Sequence, residues 1–291
     1  MGRQKGKRLY ILLKLDWRAI LGLVALAVGA AVAVTASAMA VEGVDIPVVM
    51  YHALLKDEAR HGQYVISPAE FESDLQYLKK HGYTTILMED LIAYTKGGEL
   101  PEKPILLTFD DGYYNNYLYA FSIARQYSCK FVISPIGRWA DTYSETGETN
   151  AYYTHATWAQ LKEMADSGLV EVQNHSYNLH EKRGGAQGVQ KRPGEEETAY
   201  QARISADILK AQNTFEEHLG RRPSTFVYPF GAVSESTGEV VRGLGFQATL
   251  ICREKLNHIT RDGQSLYGLG RYLRPSGMSS AAFFEQRMGL Q

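Results

Sequence analysis

Short apolar segments alternate with amphipathic helical segments along most of this chain, and this alternation is what most constrains its fold. Residues 104–109, Pro-Ile-Leu-Leu-Thr-Phe, form an almost unbroken apolar run of strand length. Such runs are typical of parallel strands that are covered on both faces. Strands that alternate with helices predict parallel pairing. We therefore expect an α/β fold, as a single closed or nearly closed (β/α) barrel of about seven strands or as an open doubly wound sheet.

Local signals place several helices and loops. Ser67 is a candidate N-cap, Pro68 suits a first helical turn and Glu70 completes a capping box, so a helix is expected to begin there and to end before Gly82. Residues 138–156 and 181–197 are polar or rich in glycine and charge, and both are predicted to be long loops.

The N-terminal segment differs from the rest of the chain. Residues 1–18 are basic, and the 22 residues of 19–40 carry no charge. A helix of that length spans roughly 33 Å, enough to cross a bilayer core. We predict a basic cytoplasmic segment at 1–18, a single-pass transmembrane anchor at 19–41 and an extracytoplasmic domain at 42–291. A signal peptide cleaved near Ala38 or Ala40, which would release a secreted protein, is the alternative.

The net charge and the two cysteines give limited information about partners and redox state. The formal net charge is −1, so no overall positive field favours nucleic acid as a partner. The two cysteines, Cys129 and Cys252, lie in apolar strand-like runs and are interpreted as buried thiols. Nothing in the sequence predicts a protein partner.

Polar residues follow three of the predicted strands. Asp110-Asp111-Gly112 ends the first, His175 to His180 follows the second, and Tyr228-Pro229-Phe230-Gly231 follows the third. The carboxyl ends of parallel strands meet at one edge, where sites gather in α/β folds. One carboxylate and two imidazoles are a common ligand set for a catalytic metal. The alternatives are an ordinary Asp-Asp-Gly turn and structural histidines.

These three motifs, read as TFDDG, NHSYNLH and YPFG, resemble those of the polysaccharide deacetylases of carbohydrate esterase family 4, which share the NodB-homology domain. The resemblance covers roughly residues 45–280. It implies a single distorted (β/α) barrel of the NodB type and a metal-dependent hydrolase that removes N-acetyl groups from an extracytoplasmic polysaccharide containing N-acetylglucosamine. Its partner would then be an acetylated glycan polymer.

The chain departs from the commonest family pattern in three places. His175 and His180 are five residues apart rather than four, no Arg precedes Pro229 in the third motif, and His52 ends an early VVMYH segment. This combination resembles the branch that acts on poly-β-1,6-N-acetylglucosamine, in which the motif with the catalytic His lies on the N-terminal strand. His258 is a rival for that role. Arg271 and Arg274 are two candidates for the missing positive charge.

The resemblance also assigns roles to residues. It implies that a divalent metal, Zn²⁺ with Co²⁺ or Ni²⁺ as alternatives, is held by Asp111, His175 and His180. Asp110 would be the general base and His52 the general acid. The third group, Tyr228, Pro229 and Phe230, would contribute to the oxyanion and substrate site, with the N–H of Phe230 as donor. Peptidoglycan, chitin-type oligomers, O-acetylated glycans and a catalytically silent carbohydrate-binding domain are the alternatives.

Overall fold

The chain separates into two compact units, Met1–Glu42 and Gly43–Gln291. The computed structural model describes residues 43–290 of the second unit and four helical residues of the first, Leu21, Gly22, Val24 and Leu26. Apart from those four, the predicted anchor or signal segment 19–41 lies outside the described residues. Within the described part, the chain forms no helix whose length and apolar character suit a membrane crossing.

Strands and helices alternate through the second unit as the sequence predicts. Its strands are β1 (Gly43–Ile46), β2 (Val48–Tyr51), β3 (Ala53–Leu54), β4 (Val65–Ile66), β5 (Thr84–Ile86), β6 (Pro104–Asp111), β7 (Phe131–Pro135), β8 (Val170–Val172), β9 (Lys182–Arg183), β10 (Ala186–Gln187), β11 (Thr225–Val227), β12 (Ala248–Leu250), β13 (Asn257–Thr260) and β14 (Tyr272–Leu273). Its α-helices are α1 (Pro68–Lys80), α2 (Met88–Thr95), α3 (Ser122–Tyr127), α4 (Gly137–Thr146), α5 (Trp158–Asp166), α6 (Glu197–Leu219) and α7 (Thr237–Gly243).

Parallel pairings join most of these strands into a closed ring. Neighbours are hydrogen-bonded in the order β14-β2-β6-β7-β8, and β5 pairs with the start of β6. Asn174, just after β8, bridges Phe226 of β11, which pairs with β12. Leu250 of β12 bridges Leu269, three residues before β14, and this bridge closes the ring. The structure is therefore a barrel rather than an open sheet.

Two apolar clusters cover the two faces of the ring. On β6, Ile105, Leu107 and Phe109 pack in the cluster that includes the helical residues Leu75 and Leu161. The alternate residue Leu106 lies in a second cluster to which β2, β7, β11 and β12 also contribute, so this cluster fills the barrel. Because side chains alternate along a strand, Thr108 and Asp110 share the inner face with Leu106. Asp110 thus lies at the carboxyl end of the barrel interior.

Local sequence signals account for some elements and not for others. Helix α1 has Ser67 as its N-cap, Pro at its start and a capping box with Glu70, as predicted. The predicted loop over 138–156 is wrong in its first half, because α4 covers Gly137–Thr146. This helix is largely polar, and only Gly137 and Ala140 are buried, so it lacks the apolar periodicity that reveals a helix in a sequence. The predicted loop 181–197 contains the short β9–β10 hairpin.

A buried carboxylate on β8, that of Glu171, predicts a pH-dependent stability. Glu171 accepts hydrogen bonds from the backbone N–H groups of Met88 and Glu89 and from the Gln173 amide, at 2.6, 3.2 and 2.6 Å. Burial, the dominant cause, raises its pKa from 4.5 to about 7. As the pH rises, the unfolded chain therefore releases this proton first, and the native state is destabilised between these two pKa values.

We expect the free energy of unfolding to fall from pH 4.5 to 7 more steeply in the wild type than in Glu171→Gln. The difference should be on the order of 3 kcal/mol, since one pKa unit is about 1.4 kcal/mol. Urea denaturation at a series of pH values measures it. Parallel curves for the two proteins would contradict this source of pH dependence.

Candidate active site

Strand β6 ends in a sharp turn that brings both of its aspartates to the open end of the barrel. Asp110 is extended, but Asp111 and Gly112 both have positive φ, at 66° and 74°. A Cβ on Gly112 would clash with Pro135, so glycine is required by space as well as by conformation. The turn breaks the strict alternation of the strand, so the two adjacent carboxylates can face one site.

Backbone strain is concentrated in the three motifs. Among the described residues other than glycine, positive φ occurs at Asp111, Ser128, Ser176 and Phe230. Ser128 caps helix α3, whereas each of the other three lies in one of the strand-end motifs. Such conformations cost on the order of 1–3 kcal/mol each and are typical of functional sites.

Arg271 binds the carboxylate of Asp110 inside the barrel. Its two terminal nitrogens donate to the two carboxylate oxygens at 2.6 and 2.8 Å, and both side chains are buried. Burial alone would raise the pKa of Asp110, but Arg271, with His175 and His52 nearby, holds this pKa well below its usual range. Asp110 is therefore ionised and fixed in orientation. Of the two arginines suggested by the sequence, Arg271 supplies the charge.

Arg274, the other candidate, has a separate partner. It forms a two-pronged ion pair with Asp74 of α1 at 2.9 and 3.0 Å, and Asp74 also accepts from the Tyr51 hydroxyl at 3.0 Å. This buried network fastens the C-terminal segment to α1 and β2. The carboxylate partner of Arg274 is Asp74 and not Asp110, so Arg274 is not the positioning arginine.

Asp111, His175 and His180 form a cluster with the composition of a metal site. The Nε2 atoms of His175 and His180 lie 3.6 and 3.4 Å from Oδ1 of Asp111. One ligand atom from each residue lies within 4.8 Å of those from the other two. Oδ1 of Asp111 is buried and has no hydrogen-bond partner in the described structure. A cation would satisfy this oxygen, so the residues present fit the metal that the sequence predicts.

The protonation state of His175 suits metal binding. Burial outweighs the nearby carboxylates of Asp110 and Asp111 and lowers the pKa of His175 to about 4, so the imidazole is neutral at pH 7. Its Nδ1 lies 2.8 Å from the carbonyl oxygen of Val227, which fixes the ring. A proton on Nδ1 would leave the lone pair of Nε2 directed at the cluster.

His52 lies close to Asp110. It follows β2, and its Nε2 is 4.0 Å from Oδ2 of Asp110. The side-chain amides of Asn115 and Asn116 hold this segment, since Asn116 donates to the His52 carbonyl and Asn115 accepts from the N–H of Leu54. The rival His258 lies on β13, and its Nδ1 is 2.9 Å from a carboxylate oxygen of Asp45 on β1. The structure therefore places His52, and not His258, beside Asp110.

The third motif contributes an exposed ring and a strained backbone. Tyr228 and Pro229 are buried, and the Tyr228 ring packs against Phe226 in the core. Phe230 is 37% exposed, has a φ of 58°, and packs against His180 with ring centroids 4.1 Å apart and ring planes tilted by 33°. Of the three residues that the sequence assigns to the oxyanion and substrate site, only Phe230 has a substantially exposed side chain.

His155 is a neighbour of the site that the sequence did not reveal. It pairs with Tyr113 in a β-bridge and stacks with the rings of Tyr113, Trp139 and Tyr143 at 4.7, 5.6 and 5.7 Å. Burial lowers its pKa to about 4, against the opposing effect of the Asp111 carboxylate. Its THATW surroundings carry no recognisable motif, so no sequence signal was available. The histidine and its aromatic partners form one wall beside Asp111.

Comparison with known protein families identifies the family to which the chain belongs. The family described as Polysaccharide deacetylase matches residues 97–249. The chain belongs to this family. The matched region contains both aspartates, both histidines of the metal cluster and Phe230, whereas His52 and Arg271 lie outside it. The resemblance found in the sequence is thereby confirmed.

Two of the relatives that this chain resembles carry the same name. The poly-β-1,6-N-acetyl-D-glucosamine N-deacetylase of Escherichia coli K12 is 27% identical over 220 residues, which cover 66% of this chain and 32% of the relative. Its namesake from Staphylococcus aureus N315 is 24% identical over 197 residues, or 66% of this chain and 62% of the relative. The chain thus spans about a third of the length of the E. coli relative.

Solved structures with the same fold support the barrel. A de-N-acetylase from Aggregatibacter actinomycetemcomitans superimposes with a TM-score of 0.70 at 26% identity and covers 84% of this chain and 99% of its own. IcaB from Ammonifex degensii gives a TM-score of 0.65 at 28% identity and covers 80% and 93%. The predicted NodB-type deacetylase fold is therefore confirmed for the described catalytic unit.

Proposed function

We propose that this deacetylase hydrolyses the N-acetyl groups of an N-acetylglucosamine polymer, with poly-β-1,6-N-acetylglucosamine as the substrate class. The observation that carries the proposal is the arrangement at the barrel mouth: a three-residue metal cluster beside an ionised Asp110 that Arg271 holds and His52 faces. The names of the E. coli and S. aureus relatives support the choice of polymer.

Asp111, His175 and His180 would hold one divalent cation, for which we propose Zn²⁺ because two imidazoles and one carboxylate are a common zinc ligand set. Co²⁺ and Ni²⁺ suit the same nitrogen and oxygen ligands. When bound, such a cation supplies Lewis acidity, which lowers the pKa of water and polarises an acetyl carbonyl. It also offsets the repulsion between the two adjacent aspartates.

The chain's own residues would move the protons. Water attacks the acetyl carbonyl, and the ionised Asp110 accepts a proton from that water while Arg271 keeps its carboxylate in place. His52 donates a proton to the nitrogen as the C–N bond breaks, so the products are acetate and a free amine. The backbone N–H of Phe230 is our candidate donor to the oxyanion.

We also propose a location for this reaction. The uncharged run 19–40, which follows a basic segment, supports a single-pass membrane anchor with the catalytic unit outside the cytoplasm. Cleavage of that segment and secretion is the alternative. The anchored form and the secreted form would both expose the site to an extracellular glycan.

Acetate release tests the substrate class. The Zn²⁺-loaded chain would be incubated with β-1,6-linked N-acetylglucosamine oligomers, chitin oligomers and purified peptidoglycan, with His175→Ala as the inactive control. We expect release mainly from the β-1,6 oligomers. Release mainly from the other two would retain the chemistry and reject the polymer, and no release from any of them by a folded, metal-loaded chain would contradict the proposal.

A further inference from the structure

The backbone N–H groups of the loop between the two histidines of the metal cluster all donate to side-chain oxygens. Residues 176–179 separate His175 from His180, and Ser176 has a φ of 72°. The first and last backbone N–H groups of this loop are bound by nearby side chains. The N–H of Ser176 donates to the Asn174 side chain at 2.7 Å, and the N–H of Leu179 donates to the Ser176 hydroxyl at 3.0 Å. The two N–H groups in the middle of the loop have a different, distant acceptor.

That acceptor is Asp207, in the middle of helix α6. One of its carboxylate oxygens accepts from the N–H of Tyr177 at 2.8 Å and the other from the N–H of Asn178 at 3.0 Å. A carboxylate that binds two consecutive backbone N–H groups forms strong, charge-assisted hydrogen bonds with a defined direction. Helix α6 is 23 residues long, so Asp207 ties the loop to the longest α-helix of the described structure.

Further contacts hold Tyr177 against the same helix. The ammonium group of Lys210, one turn beyond Asp207, lies 3.6 Å from the centre of the Tyr177 ring. The Tyr177 hydroxyl donates to Asp141 of α4 at 2.8 Å, and its carbonyl accepts from the N–H of Arg138. The loop is thus fixed from two helices, but only Asp207 binds both of its central N–H groups.

We propose that Asp207 is a positioning residue of the metal centre: it sets the separation of His175 and His180 and so determines how tightly the chain binds its divalent cation. The five-residue spacing makes this support necessary, because the two ligands lie on opposite ends of a strained loop and not on successive turns of one helix. The inference rests on the metal centre of the proposed function. Asp207 itself is not a ligand in the cluster.

The test is the Zn²⁺ dissociation constant of the full chain, measured by competition with a chromophoric chelator. Burial raises the pKa of Asp207 to about 6, so the titration is done at about pH 8, where the carboxylate is ionised. Replacement of a residue that orients metal ligands typically weakens metal binding by about 10- to 100-fold, and we expect this for Asp207→Asn. The visible spectrum of the Co²⁺-loaded variant should change as well, since the ligand geometry changes.

Glu171→Gln is the matched control. Glu171 is also a buried carboxylate that accepts two consecutive backbone N–H groups, but these belong to the start of α2 and not to the histidine loop. We expect Glu171→Gln to bind Zn²⁺ as the wild type does even if it loses comparable stability. Wild-type affinity in Asp207→Asn, or equal weakening in both variants, overturns the inference.

Two further variants, Asp207→Glu and His175→Ala, cover the remaining outcomes of the Zn²⁺ titration. If Asp207→Asn does not fold, Asp207→Glu, which keeps the charge but displaces the oxygens by one methylene, takes its place, and wild-type affinity there overturns the inference. His175→Ala defines binding at the proposed cluster. If the wild type binds Zn²⁺ no better than His175→Ala, the metal centre itself is wrong, which is distinguishable from a failure of Asp207 alone.

Discussion

An Asp110→Asn chain is expected to bind one Zn²⁺ as the wild type does and to release acetate about 10²- to 10⁴-fold more slowly, the usual contribution of a general base. The asparagine keeps the shape of the side chain but does not accept a proton from water. The metal cluster is built from Asp111, His175 and His180 and does not include Asp110. Metal analysis together with an acetate assay measures both quantities.

Asp111→Asn is the matched control for this experiment, since it alters the adjacent carboxylate. We expect it to lose the metal and, as a consequence, the activity, because Asp111 supplies the oxygen that faces both histidines. If instead Asp110→Asn lost the metal and Asp111→Asn retained it, the roles assigned to the two aspartates would be reversed.

Arg271→Met is expected to lower the free energy of unfolding by about 3–5 kcal/mol, because it leaves a buried carboxylate without its partner. Arg271 is fully buried and binds both oxygens of Asp110, which is itself 2% exposed. Urea denaturation of the metal-free protein measures the loss. The double variant Asp110→Asn/Arg271→Met removes both charges and should recover part of it, as a double-mutant cycle would show.

Arg222→Met provides the comparison at the surface. Arg222 binds Glu216 at 2.7 Å, but both side chains are about half exposed. Such pairs typically contribute about 0–1 kcal/mol. A loss of this small size in Arg271→Met would show that the Asp110–Arg271 pair does not stabilise the barrel.

The strand-end residues could be predicted because parallel strands bring their carboxyl ends to one edge. The spacing of TFDDG, the histidines and YPFG along alternating strands and helices was therefore enough to predict their convergence. The structure adds a steric reason for the glycine in TFDDG, since Pro135 leaves no room for a side chain at Gly112.

The choice between Arg271 and Arg274 depends on contacts that the sequence does not show. Both arginines lie at β14, 161 and 200 residues from their respective partners Asp110 and Asp74. Which of them enters the barrel depends on how β14 closes the ring against β2 and β12. Local residue patterns carry no information on that closure.

His155 and Asp207 were missed for related physical reasons. His155 reaches the site through an isolated bridge to Tyr113 from a segment without strand or helix periodicity. Asp207 lies within a long helix and belongs to no recognisable motif, and only the folded structure shows that it binds the histidine loop. Side chains that support a site from a neighbouring element have no local sequence signature.

Reconstitution of acetate release tests the central claim most directly. The chain would be stripped with a chelator, metal removal would be verified by elemental analysis, and one equivalent of Zn²⁺ would be returned before assay on β-1,6-linked N-acetylglucosamine oligomers. We predict that the stripped chain is inactive and that one equivalent restores acetate release in the wild type but not in His175→Ala. Undiminished release by the verified metal-free chain would contradict a metal-dependent deacetylase centred on Asp111, His175 and His180.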